Sequence, residues 1–130
     1  MASAKEKCLV KLATVTGVDM KTVASTTLYT VPAGKSFIPD HVVIRNYNAS
    51  LSGGVCTFGQ SGAKTDFLGS QTLTNLSTTT TGAAKLSQIP NATPVQKIAY
   101  AAGLNFVIDV TTGITAGSGT ATIEVWGYLI

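Results

Sequence analysis

Residues 121–130 read ATIEVWGYLI, and this stretch decides the fold class of the chain. Every second residue from Ala121 to Leu129 is small or apolar, which is the period of a β-strand with one face in a core. The other face begins polar and then turns apolar, and its last members are Trp126, Tyr128 and Ile130. Because a half-exposed sheet alternates apolar and polar side chains to its end, this second face also needs cover.

Two sources of cover are open, a loop of the same chain or a neighbouring subunit. Aromatic side chains are frequent anchors of contacts between subunits. We therefore expect Trp126, Tyr128 and Ile130 to form a subunit interface. These side chains should be exposed in an isolated chain and covered in an oligomer.

Strand signals continue along the rest of the sequence, where apolar and β-branched runs recur between turns rich in Gly and Pro. Such runs predict strands at residues 8–15, 26–31, 37–47, 55–58, 95–101 and 104–111, with short strands at 71–76 and 85–89 in a less regular middle, residues 59–91. Pro39 marks an edge strand or a bulge. Since no window has a helical period, the chain is predicted to be all-β.

The number and spacing of these strands favour an antiparallel β-sandwich, either a jelly roll or an immunoglobulin-like fold. The immunoglobulin pattern places a tryptophan between two cysteines. Trp126 instead lies far beyond Cys8 and Cys56, so we favour the jelly roll. Both cysteines occur in apolar runs, which predicts buried thiols rather than a disulfide.

Length and composition indicate one domain that hides part of its surface. The 130 residues fit a single domain, residues 1–130, in which residues 1–7 form a flexible N-terminal arm. Charged residues make up 12% of the chain, about half the usual share. Since a small monomer needs charge to stay soluble and to keep its sheet edges apart, we expect burial against other copies of the chain.

Much of the net charge of +3 comes from lysines in the first part of the chain, Lys5, Lys7, Lys11 and Lys21. Lysines of this kind are commonly solvated surface charges. The sharper hypothesis is a basic arm that contacts an acidic partner surface.

The residue types that carry chemistry do not form a recognisable site. His41 has no second histidine with which to share a metal, and no serine lies in a G-x-S-x-G turn. The carboxylates are scattered and match no calcium loop. Residues 59–65 resemble a phosphate loop only in part and read as a turn-rich loop. We therefore predict a protein that is not an enzyme and has no cofactor, no metal and no catalytic residues.

Two partner classes are also disfavoured. The basic residues are dilute and are not interleaved with aromatic residues, which argues against nucleic acid as a partner. No apolar run approaches the ~18–20 residues of a membrane-spanning helix. The first residues lack the pattern of a secretory signal, so we expect synthesis in a cytosol.

Three stretches carry a resemblance to a known family: residues 27–39 (TLYTVPAGKSFIP), 42–46 (VVIRN) and 121–130. In these stretches the chain resembles the small jelly-roll proteins that decorate or cement the heads of tailed bacteriophages. The turn Tyr-x-Val-Pro-Ala-Gly-Lys recurs in structural proteins of phage heads and tails alike. The likeness spans roughly half the chain and does not extend to residues 59–91.

The resemblance implies a jelly-roll subunit similar to the tumour-necrosis-factor fold, packed as a homotrimer around a threefold axis. Its partner would be the major capsid protein. Its location would be the capsid surface of the virion, after synthesis in the host cytoplasm. On this hypothesis, the capsid-facing residues are Lys5, Lys7, Lys11 and Lys21.

The alternative is a receptor- or carbohydrate-binding head domain of a phage tail protein. A sugar site needs an exposed aromatic platform with polar neighbours. Trp126 and Tyr128 lie in a predicted strand, where they suit an interface better than a sugar platform.

Overall fold

The chain folds into eight β-strands, as a computed structural model of residues 8–77, 82–87, 99–115 and 119–130 shows. The strands are β1 (Val10–Asp19), β2 (Ser25–Thr30), β3 (Phe37–Arg45), β4 (Val55–Gln60), β5 (Ala63–Thr72), β6 (Ala83–Ser87), β7 (Asn105–Thr112) and β8 (Thr120–Leu129). No helix occurs among the described residues, which confirms the predicted all-β class. The predicted arm, residues 1–7, and residues 88–98 of the predicted strands lie outside the described part of the chain.

The strands form two antiparallel sheets of four strands each. Sheet A has the order β1-β8-β3-β6, and sheet B has the order β2-β7-β4-β5. The two sheets pack face to face, so the predicted β-sandwich is confirmed. Within them the pairs are nested: β1 pairs with β8, β2 with β7, β3 with β6 and β4 with β5. The described strands are therefore paired like one long hairpin, with the β4–β5 turn at its tip.

At the β4–β5 turn, the structure differs from the prediction for the middle of the chain. Residues 59–65 were expected to be a loop, yet they contain the end of β4, a turn at Ser61 and Gly62, and the start of β5. The short strand expected at residues 71–76 is displaced, because β5 ends at Thr72. The residues of β5 have weak strand propensity, and antiparallel pairing with β4 determines their conformation instead.

The core lies between the two sheets and is rich in aromatic residues. Phe37 packs edge-on against Tyr29, Tyr100 and Phe106, with ring centroids 5.1–5.8 Å apart. Edge-to-face pairs of this kind add to the stabilisation that burial provides. The inward residues predicted for β7, Phe106, Ile108 and Val110, all belong to this core. An alternating strand pattern therefore identified the correct face.

Strand β8 lies between β1 and β3 in the middle of sheet A. Its predicted apolar face points into the sandwich, with Ala121, Ile123 and Val125 at most 1% exposed. Pro39 lies in β3, which is an interior strand, and the register shifts between Pro39 and His41. This shift agrees with the bulge alternative. Within the described residues, β6 pairs with β3 only from His41 to Arg45, so Pro39 has a strand partner on the β8 side alone, as the edge alternative also requires.

Cys8 and Cys56 are not joined in a disulfide and lie in different environments. Cys56 lies in the core, where burial raises the pKa of its thiol to about 12. Cys8 is exposed, so the prediction of a buried thiol is wrong for this residue. The reason is its position, since β1 begins only at Val10 and Cys8 precedes the sandwich.

Candidate functional site

The outer side of sheet A carries the second face of β8 and is called the A face below. Its side chains form transverse rows across β1, β8, β3 and β6, because residues opposite each other in antiparallel pairs point to the same side. The rows are Tyr128–Ile38, Lys11–Trp126–His41–Ser87, Thr14–Glu124–Val43–Lys85 and Thr122–Arg45–Ala83. The A face therefore has an apolar, aromatic end and a charged end.

Trp126 is held in place from several sides by its own chain. Its ring stacks on the imidazole of His41, with centroids 5.5 Å apart and planes 13° apart. The indole Nε1–H donates a hydrogen bond of 3.0 Å to Oε1 of Glu124. Lys11 lies directly opposite on β1. An aromatic ring held in this way loses little conformational entropy when a partner covers it.

Glu124 is the centre of the charged end. Its Oε2 accepts a hydrogen bond of 2.6 Å from Nε of Arg45, and Nζ of Lys11 lies 3.9 Å from the same oxygen. Only 9% of the residue is exposed, although it lies on the outer side of the sheet. The hydrogen bond from Trp126, the hydrogen bond from Arg45 and the nearby positive charges lower the pKa of Glu124.

Replacing Glu124 with glutamine should make folding less sensitive to acid. Folding lowers the pKa of Glu124 below its ordinary value of 4.5. The ionised carboxylate therefore contributes its full stabilisation at a pH above the ordinary pKa. This contribution is lost as the pH falls through the lowered pKa of the folded state. Melting temperatures measured from about pH 6 to about pH 3 should fall more steeply for the wild type than for Glu124→Gln.

Hydrogen bonds from Thr22 and Lys21 also lower the pKa of Asp19. Asp19 is present in both the wild type and Glu124→Gln, so its effect on the melting temperature cancels in this comparison. Identical slopes in the two proteins would contradict the role given to Glu124.

His41 is 9% exposed, and its Nδ1 lies 2.7 Å from Oδ2 of Asp40. This contact orients the imidazole ring. Ser87 lies opposite His41 on β6, but within the described chain its hydroxyl makes no hydrogen bond to the imidazole. Among the described residues, no group of three or more His, Cys, Asp or Glu side chains is placed to hold a metal ion.

The structure places the predicted interface residues together at the apolar end of the A face. Trp126 and Tyr128 are half-buried rather than exposed, and only Ile130, at 52%, is largely exposed. Part of the cover comes from neighbouring side chains of the same sheet, a source that the sequence prediction did not consider. Leu9, 41% exposed, adjoins this end because the next residue, Val10, pairs with Gly127.

Of the predicted capsid-facing lysines, the two that the structure describes, Lys11 and Lys21, lie apart. Lys5 and Lys7 lie outside the described residues. Lys11 belongs to the A face beside Trp126, whereas Lys21 follows the far end of β1. The strand between Lys11 and Asp19 spans roughly 26 Å at about 3.3 Å per residue. Lys11 is therefore grouped with the predicted subunit interface and separated from Lys21.

Two residues of the A face were not anticipated from the sequence, namely Arg45 and Lys85, whereas Glu124 belongs to the polar start of the second face that the sequence predicted for β8. Alternation along β3 would have placed Arg45 on the outward side of its strand. The hydrogen bond between Arg45 and Glu124 joins residues 79 positions apart, and only the strand register brings them together.

The outer side of sheet B has a different character. It carries small polar residues, and its Asp109 is engaged by the hydroxyl of Ser25 at 2.7 Å and by Nζ of Lys64 at 3.6 Å. Aromatic anchors and a half-buried apolar row next to the exposed Leu9 and Ile130 are features of the A face, which is therefore the better candidate for a contact surface.

In the described ranges, no helix is long and apolar enough to cross a membrane. Comparison with known protein families, with curated proteins and with solved structures finds no match to this chain.

Proposed function

We propose that this chain is a non-enzymatic structural protein of a bacteriophage, which binds the outer surface of the capsid and stabilises the head as a homotrimer. Its partners on this proposal are further copies of itself and the major capsid protein. It would be made in the host cytoplasm and retained in the virion. The A face carries the proposal, since it is the surface that combines a fixed aromatic ring with exposed apolar and cationic neighbours.

The strand order supports the jelly-roll part of this proposal. A jelly roll is an eight-stranded double sheet built from two Greek keys. The nested pairs, β1 with β8 through β4 with β5, are those of a long antiparallel hairpin rolled into two sheets. Pairing of β8 with β3 and of β7 with β4 joins successive turns of that roll.

The chemistry of the A face supports a contact between proteins. Interface cores are enriched in aromatic residues and Arg, and a polar rim surrounds them. Trp126, Tyr128 and Arg45 match that composition, and the low overall charge agrees with a chain that buries part of its surface. On the capsid, three copies of a weak contact would act together, and linkage raises effective affinity by about 10²–10⁴ without new chemistry.

Light scattering after size exclusion tests the assembly. The expected mass is about three times the 13.4 kDa of one chain. A protein that remains monomeric at high micromolar concentration would overturn the proposed assembly.

The capsid part has its own test. The gene that encodes the chain should lie beside a major capsid gene, and purified protein should sediment with heads that lack it. A tail-fibre gene in that position would favour the tail alternative.

The second candidate, a carbohydrate-binding head domain of a tail protein, is favoured by one observation. Trp126 has polar neighbours in Lys11 and Glu124, as a sugar platform requires. Against it, His41 covers the indole ring, and the indole N–H is already bonded. Saccharides that shift the Trp126 fluorescence of the purified protein would support the candidate, and an unchanged spectrum across a glycan panel would count against it.

A further inference from the structure

We propose that the charged end of the A face binds an acidic segment of a partner protein, whose carboxylates contact the terminal nitrogens of Arg45 and the ammonium group of Lys85. This inference rests on the proposed function only in that the A face contacts other proteins. It adds the chemistry that a partner presents at this end of the face.

Arg45 presents a guanidinium group that its own chain has already oriented. Nε donates a hydrogen bond of 2.6 Å to Oε2 of Glu124, and this is the only hydrogen bond of the side chain within the described residues. The side chain remains 35% exposed. A guanidinium group has five N–H donors in a planar fork, so the two terminal nitrogens can still take a carboxylate in bidentate geometry.

Lys85 lies beside Arg45 on the neighbouring strand and on the same side of sheet A. It pairs with Val43, whereas Arg45 pairs with Ala83, so the two cations are diagonal neighbours. Diagonal residues of an antiparallel pair are about 7–8 Å apart, which long side chains can bridge. Lys85 is exposed, and among the described residues its ammonium group makes no ion pair or hydrogen bond. Its charge is therefore available to a ligand that also reaches Arg45.

The charged end carries an excess of positive charge. Lys11, Arg45 and Lys85 are three cations, and Glu124 is the one carboxylate in contact with them, which gives a sum of +2. Asp40 contacts the imidazole of the adjacent row, and counting it lowers the sum to +1. A positive excess at one end of a contact surface favours an acidic partner and disfavours a basic one.

The surroundings of these cations favour carboxylates of a protein over the phosphates of a nucleic acid. A nucleic-acid site uses a basic patch or stripe that follows the phosphate backbone. At the charged end, the half-buried Val43 lies between Glu124 and Lys85, and the next row contains Trp126. Arginine next to aromatic and apolar residues is the composition of a protein interface.

A binding titration with a model acidic segment tests this inference. The probe is a dye-labelled oligoglutamate peptide, added to the full chain at low salt and followed by fluorescence anisotropy. An oligoglutamine peptide of the same length is the uncharged control. We expect the protein to bind oligoglutamate and not oligoglutamine, and added salt to weaken the binding because it screens exposed charges.

Substitutions at the two cations locate the site. Lys85→Gln should weaken oligoglutamate binding about two- to fivefold, as expected for one exposed ion pair. Arg45→Gln should weaken it at least about tenfold, because hydrogen bonds to an ionised group are lost. Arg45→Lys should restore only part of the affinity, since an ammonium group keeps the charge but lacks the planar fork.

Lys64→Gln is the matched control. It removes the same charge from the outer side of sheet B, where Lys64 lies 3.6 Å from Asp109, and it should leave the affinity unchanged. Circular dichroism of each variant checks the fold. Because Lys85 has no described partner to lose, Lys85→Gln decides the question even if Arg45→Gln disturbs Glu124.

Several outcomes would overturn the inference. Equal weakening by Lys85→Gln, Arg45→Gln and Lys64→Gln would show attraction by net charge alone. Tighter binding of a labelled single-stranded oligonucleotide through Arg45 and Lys85 would assign the site to phosphates instead. A protein that sediments with heads but does not bind oligoglutamate would overturn the acidic-partner site and leave the proposed function standing. Oligoglutamate binding through Arg45 and Lys85 by a protein that does not bind heads would support the site and overturn the capsid proposal.

Discussion

Replacing Gly113 with alanine should destabilise the fold by at least about 4 kcal/mol, beyond the usual range for a single substitution. A Cβ at this position would lie 1.7 Å from the backbone oxygen of Lys21 and 2.6 Å from its carbonyl carbon. The segments on both sides are fixed, because the N–H of Ile114 donates to the carbonyl of Met20 and the N–H of Met20 donates to that of Gly119. Relief would therefore require breaking backbone hydrogen bonds.

Chemical denaturation of purified Gly113→Ala measures this effect, and Gly62→Ala is the matched control. Gly62 lies in the β4–β5 turn, where an added Cβ would meet nothing within 4 Å, so its substitution should change the free energy of unfolding by less than about 1 kcal/mol. Similar stabilities for the two variants would show that the backbone of Lys21 can move away from Gly113 at little cost.

Replacing Trp126 with alanine should shift the oligomer toward monomer while the monomer keeps its β-sheet circular dichroism. The indole is half-buried in one chain, so a partner covers at most about a third of its ~150–250 Å². At ~25 cal/mol per Å², that area is worth about 1–2 kcal/mol for each contact. Three such contacts move the equilibrium between trimer and monomers by about a thousandfold.

Sedimentation and circular dichroism across a concentration series measure the two parts of this prediction. Val23→Ala is the control, because Val23 is apolar and 66% exposed but lies in the connection between β1 and β2, away from the Trp126 row. Its substitution should leave the assembly unchanged. If Trp126→Ala unfolds at every concentration, the stack with His41 and the bond to Glu124 make the indole part of the intrachain structure, and the interface assignment is wrong.

The A face could be predicted in part from the sequence, whereas the close contact at Gly113 could not. Alternation along β8 showed that Trp126 and Tyr128 share a face that needs cover, since side-chain direction in a strand depends only on local geometry. Nothing local marked Gly113, whose constraint comes from Lys21 more than ninety positions away. A glycine in a Thr- and Gly-rich loop resembles any other turn residue until the chain that approaches it is known.

The sequence by itself determined the all-β class, the inward face of β7 and β8, and the edge or bulge position of Pro39. Each of these follows from the two-residue period of a strand or from the missing N–H of proline, which are properties of neighbouring residues. The same reasoning missed β5, because its polar residues form a strand only through pairing with β4.

Tertiary structure alone decided which outward side chains meet. Lys11 reaches Trp126, and Arg45 reaches Glu124, through antiparallel register between strands at opposite ends of the chain. A one-residue change of register would turn every one of these side chains to the other face, and several register shifts occur within sheet A. The pairing that sets this register depends on contacts throughout the core, so no local segment of the sequence specifies the A face on its own.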